Sequence, residues 1–551
     1  TNSVKRVETF DLDRLLRPGV LDLLRCAWTE PERFRAKETV EGVTTKAASQ
    51  FAKLAAVLRA GDAEPQAAAH FLIRLLFCLF AEDIGLLPPK LFTNMVRTRT
   101  SQRESALFNQ QLRGLFAAMA EGSFFGLDKI THIDGNLFDS DDVIDLDLDG
   151  LWELNQVCDF DWSSIEPAIL GTLFERSLDP AKRAQLGAHY TSRDDILLIV
   201  EPVLMAPLRR RWAEVRAEAE RLAAGAGDGD AGSDEANNAA APDPAAARDL
   251  LIDFGHEIAA VRVLDPACGS GNFLYVSLRQ LLDLWKEVWT FGASLHLDPP
   301  LPPPTIETAP SPVQLRGIEI NEYAAELAQV TIWIGYIQWL RDNGFGRPPE
   351  PILRPIETIE RRDAILAFDD EGRPVEPEWP AAEGIVGNPP FLGDRRMRGQ
   401  LGDDYVDLVR RLFSERLPAS SDLVCYWFER VRALIESGES SRAGLLATNS
   451  IRGGSNRHVL DRIKDSLDIF MAWADRPWIV EGAAVRVSIV GFDRGSETNR
   501  MLNGEPAAAI NADLTSAIDL ASATRLAENS ELAFIGTQKS GPFDVSPKVA
   551  E

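Results

Sequence analysis

The sequence points to a doubly wound α/β domain behind a mainly α-helical region. Three observations predict it. Short apolar runs at 261–264, 315–320, 384–386, 443–448 and 488–492 read as strands, with helical patterns between most of them. The first and third runs each lead into an unusual loop: Asp265-Pro266-Ala267-Cys268-Gly269-Ser270-Gly271 and Asn388-Pro389-Pro390-Phe391. Residues from about 10 to 180 carry helical spacing instead.

Within the helical region, residues 44–60 place Ala, Phe and Leu at helical spacing behind a threonine cap candidate. Residues 67–84 form a long apolar helix expected at the centre of this region's core. Its Arg74, Glu82 and Asp83, and a length below the ~20 apolar residues of a membrane span, exclude a transmembrane reading. Asp134-Gly135-Asn136 reads as a turn. The Asp-rich stretch 139–149 alternates with Val, Ile and Leu. It lacks the glycine and closing Glu of a calcium loop, so a solvated loop or strand edge is expected.

Two insertions flank the glycine loop's strand and helix. Residues 223–247 are rich in Ala, Gly, Asp and Asn and are expected to be disordered. Residues 298–312 are Pro-rich and should be extended. The α/β domain runs from about 181 to 500. After Asn499 the pattern weakens, and 501–551 reads as the start of another domain, cut short. The first residue is Thr rather than Met, which fits a fragment or a processed chain, and no signal peptide is visible.

The glycine loop follows an apolar strand and opens a helix at Asn272-Phe273-Leu274. Gly269 and Gly271 permit a backbone geometry and a ligand approach that a Cβ would block. Ligands of α/β sheets sit at the carboxyl ends of strands. No Lys-Ser/Thr follows the loop, so a phosphate-cradling P-loop is disfavoured. The next strand ends in Glu319, followed by Ile320, and a carboxylate there can accept both hydroxyls of a ribose. Asp363 could meet an adenine amino group, though alone it reads as a cap or surface acid.

The second loop is the stronger signal. Prolines end the strand near Asn388 and stiffen the turn. The Asn388 side-chain oxygen and the Pro389 carbonyl can both accept from one amino group. Pro390 continues the turn, and Phe391 offers a ring on which a base can stack.

Composition is ordinary globular, 45% hydrophobic and 26% charged. The formal charge of −26 argues against a general nucleic-acid binder. It is uneven, however: 121–166 holds thirteen acidic residues and one lysine, whereas 441–465 holds five basic and two acidic. Arg395, Arg396 and Arg398 follow the second loop directly and are candidates for phosphate contact; Arg452 and Arg457 are candidates on local charge alone. Five scattered cysteines form no CxxC or Cys/His spacing, so no metal site or disulfide framework is indicated, and a reducing cytoplasm fits.

The order of motifs resembles the gamma arrangement of DNA adenine-N6 methyltransferases: Gly187-Ala188-His189-Tyr190-Thr191-Ser192, then the glycine loop, then Asn-Pro-Pro-Phe. The similarity continues through Ser421-Asp422-Leu423-Val424, Gly444-Leu445-Leu446-Ala447-Thr448-Asn449 and Ala484-Val485-Arg486-Val487-Ser488. The segment Leu76-Phe77-Cys78-Leu79-Phe80-Ala81-Glu82-Asp83-Ile84-Gly85-Leu86-Leu87-Pro88, with Gly171-Thr172-Leu173-Phe174-Glu175-Arg176, looks like the helical connector of type IIL (Mme-type) restriction–modification enzymes. The similarity covers about residues 10–543.

This resemblance implies a helical spacer over 1–180, a Rossmann-like class I methyltransferase domain over 181–500, and the start of a target-recognition region over 501–551. It implies S-adenosyl-L-methionine as cofactor. Tyr190, Thr191, Asp265, Ala267, Gly269, Gly271, Asn272, Phe273, Glu319, Ile320 and Asp363 would bind it, and Asn388, Pro389, Pro390 and Phe391 would receive a flipped adenine of double-stranded DNA. Transfer would be a direct in-line displacement needing no metal and no cysteine nucleophile. No nuclease constellation precedes the helical region, and Glu32-Arg33-Phe34-Arg35-Ala36-Lys37 reads as a surface helix, so no cleavage is expected from this chain. A nuclease, and a target-recognition domain or specificity subunit, would lie outside it. Competing readings are a type I modification subunit, a methyltransferase for RNA or protein glutamine, and a non-catalytic DNA-binding scaffold.

Overall fold

Burial on every side explains the apolar helix of the front. In the computed structural model, which describes residues 25, 40–61, 64–133, 137–138, 142–167, 191–224, 242–302, 305, 308–345, 356–480 and 483–516, α1 (Val40–Ala60) is followed by α2 (Pro65–Asp83). α1 starts ahead of the threonines expected to cap it. α2 starts two residues earlier than its apolar run, because Pro65 sits in the first turn and the Glu64 carboxylate accepts from the Gln66 and Ala67 N–H groups. Residues 71–81 are all buried, which removes the need for an amphipathic face.

The charges of α2 hold loops in place. Arg74 donates to the carbonyls of Leu137 (2.5 Å) and Asp142 (3.0 Å). Glu82 accepts from the Thr93 N–H at 3.0 Å and from its hydroxyl. Asp83 accepts from the Trp162 N–H at 2.9 Å. The two buried charges, Arg74 and Glu82, are thus hydrogen-bonded, as low dielectric demands. α3 (Leu91–Gln102), α4 (Ser105–Glu121) and α5 (Leu148–Val157) complete the described front. The Asp-rich stretch is irregular over 142–147, and Asp147 caps α5 by accepting from the Gly150 N–H. The Asp134–Asn136 turn and the 32–37 segment lie outside the described residues. No described helix is long and apolar enough to cross a membrane.

Nine strands form the main sheet: β1 (Val263–Asp265), β2 (Leu315–Glu319), β3 (Ile359–Arg361), β4 (Gly384–Gly387), β5 (Arg442–Thr448), β6 (Asp468–Val480), β7 (Ala483–Asp493), β8 (Met501–Leu502) and β9 (Glu505–Pro506). Their order is β9-β8-β6-β7-β5-β4-β1-β2-β3. Strands β3, β2, β1, β4 and β5 are parallel, and β7 runs antiparallel between β5 and β6. Successive side chains alternate between two cores: Val263, Leu315, Val386 and Leu446 face one, Leu264, Ile318, Ile385 and Leu445 the other. The first core holds α6 (Arg193–Val200), α7 (Ala206–Ala224), α8 (Pro244–Ala260), α9 (Asn272–Ser294) and α10 (Glu322–Asp342), and continues into the front. The second holds α11 (Asp394–Leu401), α12 (Asp403–Leu412), α13 (Val424–Ser437) and α14 (Arg457–Ser466). Helices cover both faces, so the sheet is doubly wound.

Four strands of the main sheet escape the sequence reading. β6 contains Pro477, which argues against a strand, yet beyond Ala472 it pairs only with β7. A proline is tolerated there because one side of the strand needs no donor. β8 and β9 extend the same sheet past residue 500, so the sheet's boundary lies later than expected. β3 is too short to stand out. The stretch 223–247 is helical at both ends: α7 closes at Ala224, and Asp243 caps α8 ahead of Pro244. Residues 225–241, and the boundary near 180, lie outside the described residues. The Pro-rich segment is tied to α9 where the Trp289 indole donates to the Pro302 carbonyl at 3.1 Å.

Gly384 and Gly444 let α6 and the wide turn after it (Glu201–Met205) lie flat on β4 and β5. A Cβ on Gly444 would stand 2.6 Å from Val203 and 2.8 Å from Ile199; one on Gly384 would stand 2.4 Å from Leu204. This packing brings the residues just before α6 to the carboxyl end of β4. Gly444→Val is therefore expected to destabilise the domain by about 1–3 kcal/mol through overpacking. Thermal melting checks this, and an unchanged midpoint would mean that the helix does not depend on that close approach.

Candidate active site

Strand order reverses between β1 and β4, each parallel to its neighbours, with the following connections on opposite faces. Such a switch point opens a crevice at the strands' carboxyl ends. Both unusual loops lie there: the glycine loop leaves β1 and the Asn-Pro-Pro-Phe turn leaves β4.

The glycine loop is held from several sides. The Cys268 N–H donates to the Ile318 carbonyl at 3.0 Å. The Trp427 indole, which the sequence did not single out, donates to the Pro266 carbonyl at 3.0 Å. Gly271 has φ 81° and packs against Ala328 of α10, 3.0 Å from where a Cβ would be. Gly269 also has positive φ but faces open space. Glycine 271 thus serves packing, and glycine 269 leaves room in front of the loop. Asn272 and Phe273 start α9 and are buried; the Asn272 Oδ1 has no hydrogen-bond partner.

Acids line the next strand ends. Glu319 accepts from the Gly269 N–H (2.9 Å) and the Asn321 N–H (2.8 Å), which joins the glycine loop to the end of β2. The Ile320 N–H also bonds to this carboxylate, which with about four acceptor sites keeps capacity for a further donor. Asp265 is 1% exposed and accepts from the Ala267 N–H at 3.1 Å. Burial pushes its carboxyl up to about 8, with the Glu319 charge adding to the rise. Burial also raises Glu319. The Cys268 thiol is held well above its ordinary range by burial and by both acids, so it stays protonated. Ile320 is exposed beside them. Asp363 follows β3 and accepts from the Ile365 and Leu366 N–H groups, a cap-like role, with the Tyr405 hydroxyl also bonded to it.

At the end of β4, Asn388 is partly buried and its Nδ2 donates to the Thr191 hydroxyl at 3.2 Å. Its Oδ1 is buried with no partner. Among the described residues no donor reaches the Pro389 carbonyl either. Two neighbouring acceptors without donors fit a ligand that brings an amino group. Phe391 is half-buried and packs against both cores. Tyr190 and the preceding residues of its motif lie outside the described residues, as does 171–176.

A model of the MmeI DNA-methyltransferase domain matches residues 237–503, and a model of the MmeI helicase spacer domain matches residues 66–138. Together they take in more than half of the chain. The solved structure of the type IIL restriction–modification enzyme MmeI in complex with DNA is similar over 86% of this chain and 62% of that one, with a TM-score of 0.68 and 27% identity.

This chain belongs to the MmeI family.

A curated relative, DNA methyltransferase A of Bacillus subtilis (strain 168), is 26% identical over 513 residues, which cover 89% of this chain and 53% of the relative. The chain thus spans about half the length of that relative.

The helical front meets the α/β domain at α10. Gln338 donates to the carbonyls of Ser163 (3.2 Å) and Ile165 (2.9 Å), and His70 lies 2.5 Å from the Glu326 carboxylate. Beside the Asn-Pro-Pro-Phe turn, Asp422 accepts from the Asp394 N–H (2.9 Å), the Asn456 amide (2.6 Å) and the Ser450 hydroxyl (3.0 Å). These bonds join the start of α11 to the loop after β5. The five candidate arginines of this MmeI-family chain differ in their surroundings. Arg395 and Arg396 are exposed on α11, with no side-chain partner among the described residues. Arg398 is held by Asp403 (2.9 Å) and Asp407 (2.6 Å). Arg452 donates to the Asp513 carbonyl at 2.9 Å, and Arg457 pairs with Asp461 at 3.2 Å. Among the described residues there is no group of three His, Cys, Asp or Glu side chains that could hold a metal ion.

Proposed function

We propose that this chain moves a methyl group from S-adenosylmethionine to N6 of a flipped adenine in double-stranded DNA, as the modification part of a restriction–modification system. The observation that carries the reading is the buried Asn388 carbonyl oxygen without a donor, at the switch point beside the glycine loop. Residues up to about 180 would serve as spacer. The following sheet would be the catalytic domain, and the residues after β9 would begin target recognition. DNA as substrate puts the reaction in the cytoplasm.

The residues present fit the cofactor. Gly269 leaves open space for it, Glu319 keeps acceptor capacity for a ribose hydroxyl, and Ile320 offers an exposed apolar side chain for its base. S-adenosylmethionine supplies a methyl group on a positively charged sulfur. Two acids, the buried Asp265 and the half-buried Glu319, favour a cationic ligand nearby. Asn388 Oδ1 and the Pro389 carbonyl accept the two hydrogens of the target amine, which aims its lone pair at the methyl carbon. Orientation and preorganised acceptors supply the rate enhancement. Phe391 stacks on the flipped base. The proton leaves to water after transfer, so no general base is required.

Genomic DNA from a bacterial host expressing the chain tests the reading by methylation-sensitive sequencing. The expected result is N6-methyladenine at one recurring sequence. Modified cytosine, or no modification above the empty host, would overturn it. Arg395→Ala with Arg396→Ala is expected to weaken DNA binding and to lower the salt slope by about 2, near one for each phosphate no longer neutralised. Arg398→Ala should change little, because its guanidinium is already held by two acids. Titration of a fluorescent duplex at several salt concentrations distinguishes them.

A further inference from the structure

Thr191 and Asn388 share a hydrogen bond that has two possible senses. Thr191 is 3% exposed, and its hydroxyl accepts from the Asn388 amide nitrogen at 3.2 Å. A hydroxyl carries one proton and two lone pairs. The Thr191 proton meets no acceptor among the described residues, and Asn388 Oδ1 meets no donor. Buried polar groups are nearly always paired. A free donor and a free acceptor, side by side at the switch point, therefore ask for a ligand on each.

The two unpaired groups are linked by chemistry. An amide turned by half a revolution would offer its NH2 to the target amine, donor against donor, and the acceptor site would be lost. A free hydroxyl tolerates either orientation, since it can accept from the NH2 or donate to the oxygen. A hydroxyl whose proton is already given to a ligand can only accept. It then holds the Asn388 nitrogen toward itself and turns Oδ1 to the amine.

We propose that Thr191 is a positioning residue that couples cofactor to substrate: a ligand oxygen that takes the Thr191 proton locks Asn388 in the orientation that recognises the target amine. This rests on the methyltransferase reading. The cofactor carries such an oxygen in the carboxylate of its amino-acid end. The coupling makes the site ready for a base once the cofactor is in place, and by linkage a bound amine tightens the cofactor by the same factor.

Binding tests this without turnover. Duplexes holding the sequence found by methylation sequencing carry either adenine or purine, which lacks the amine, at the target position. Affinity is measured with and without S-adenosylhomocysteine, which keeps the carboxylate and has no methyl group to transfer. The wild-type chain is expected to prefer adenine by about fivefold to tenfold with S-adenosylhomocysteine, the worth of a hydrogen bond to a buried acceptor, and to show little preference without it. Thr191→Val should lose the preference under both conditions, and Thr191→Ser should restore it. A wild-type preference that ignores S-adenosylhomocysteine overturns the inference, whatever the variants do. So does a Thr191→Val chain that keeps the preference. A chain that methylates no adenine in the sequencing experiment defeats the methyltransferase reading itself, and the inference with it; the two failures are seen in different experiments.

Discussion

Asn388→Ala is expected to lower methyl transfer by about a hundredfold to a thousandfold while leaving cofactor affinity within about twofold. The size follows from removing one preorganised acceptor from a site where orientation supplies most of the catalysis. The selectivity follows from position. Asn388 touches Thr191 at its nitrogen end, and its oxygen bonds to no part of the glycine loop. Glu319, the Gly269 N–H and Asp265 keep their hydrogen bonds in the variant. The check pairs single-turnover transfer at saturating cofactor with calorimetric cofactor binding. Equal losses in both would move Asn388 from the acceptor to the cofactor side of the crevice.

The second large effect is a pH dependence centred on Asp265. Its carboxyl is raised from an ordinary 3.8 to about 8, first by burial and then by the Glu319 charge. A raised acid binds its proton more tightly in the folded chain than in the unfolded one. The stability it contributes is therefore complete below about pH 4 and is lost as pH rises through about 8. Free protein should melt at progressively lower temperature across that window, and Asp265→Asn should flatten the trend. A cationic cofactor reverses the balance by favouring the ionised carboxyl. Its binding should release protons near neutral pH and tighten as pH rises toward about 8. Calorimetry in two buffers of different ionisation enthalpy reads the proton count directly. Binding without proton release, or an unchanged pH trend in Asp265→Asn, would show that another group carries the charge.

How much of the fold and site is legible in the sequence depends on sequence distance. The glycine loop, Glu319 and the Asn-Pro-Pro-Phe turn stand out because each is a local break at the end of an apolar run. Parallel strands buried on both faces give such runs. The Thr191–Asn388 bond cannot be read, since 197 residues separate its partners. It depends on Gly384 and Gly444 letting α6 lie on the sheet, and glycines within strands give no hint of what approaches them. Trp427 is similar: its indole reaches the Pro266 carbonyl from another helix. β6 stays hidden because Pro477 looks like a strand breaker until the unpaired side of that strand is known. Charge clusters are the least informative feature. Arg395 and Arg398 look equivalent in sequence, yet Asp403 and Asp407 of the next helix take one and leave the other.

On the proposed reading, two acceptors at the end of β4 hold an exocyclic amine in line with a methyl donor. Incubation of the chain with mixed-sequence double-stranded DNA and methyl-labelled S-adenosylmethionine, followed by digestion to nucleosides, tests it most directly. Label is expected in N6-methyldeoxyadenosine and in no other nucleoside. Label on a ring carbon of cytosine would contradict it, because that chemistry needs a covalent nucleophile and the buried, protonated Cys268 cannot supply one.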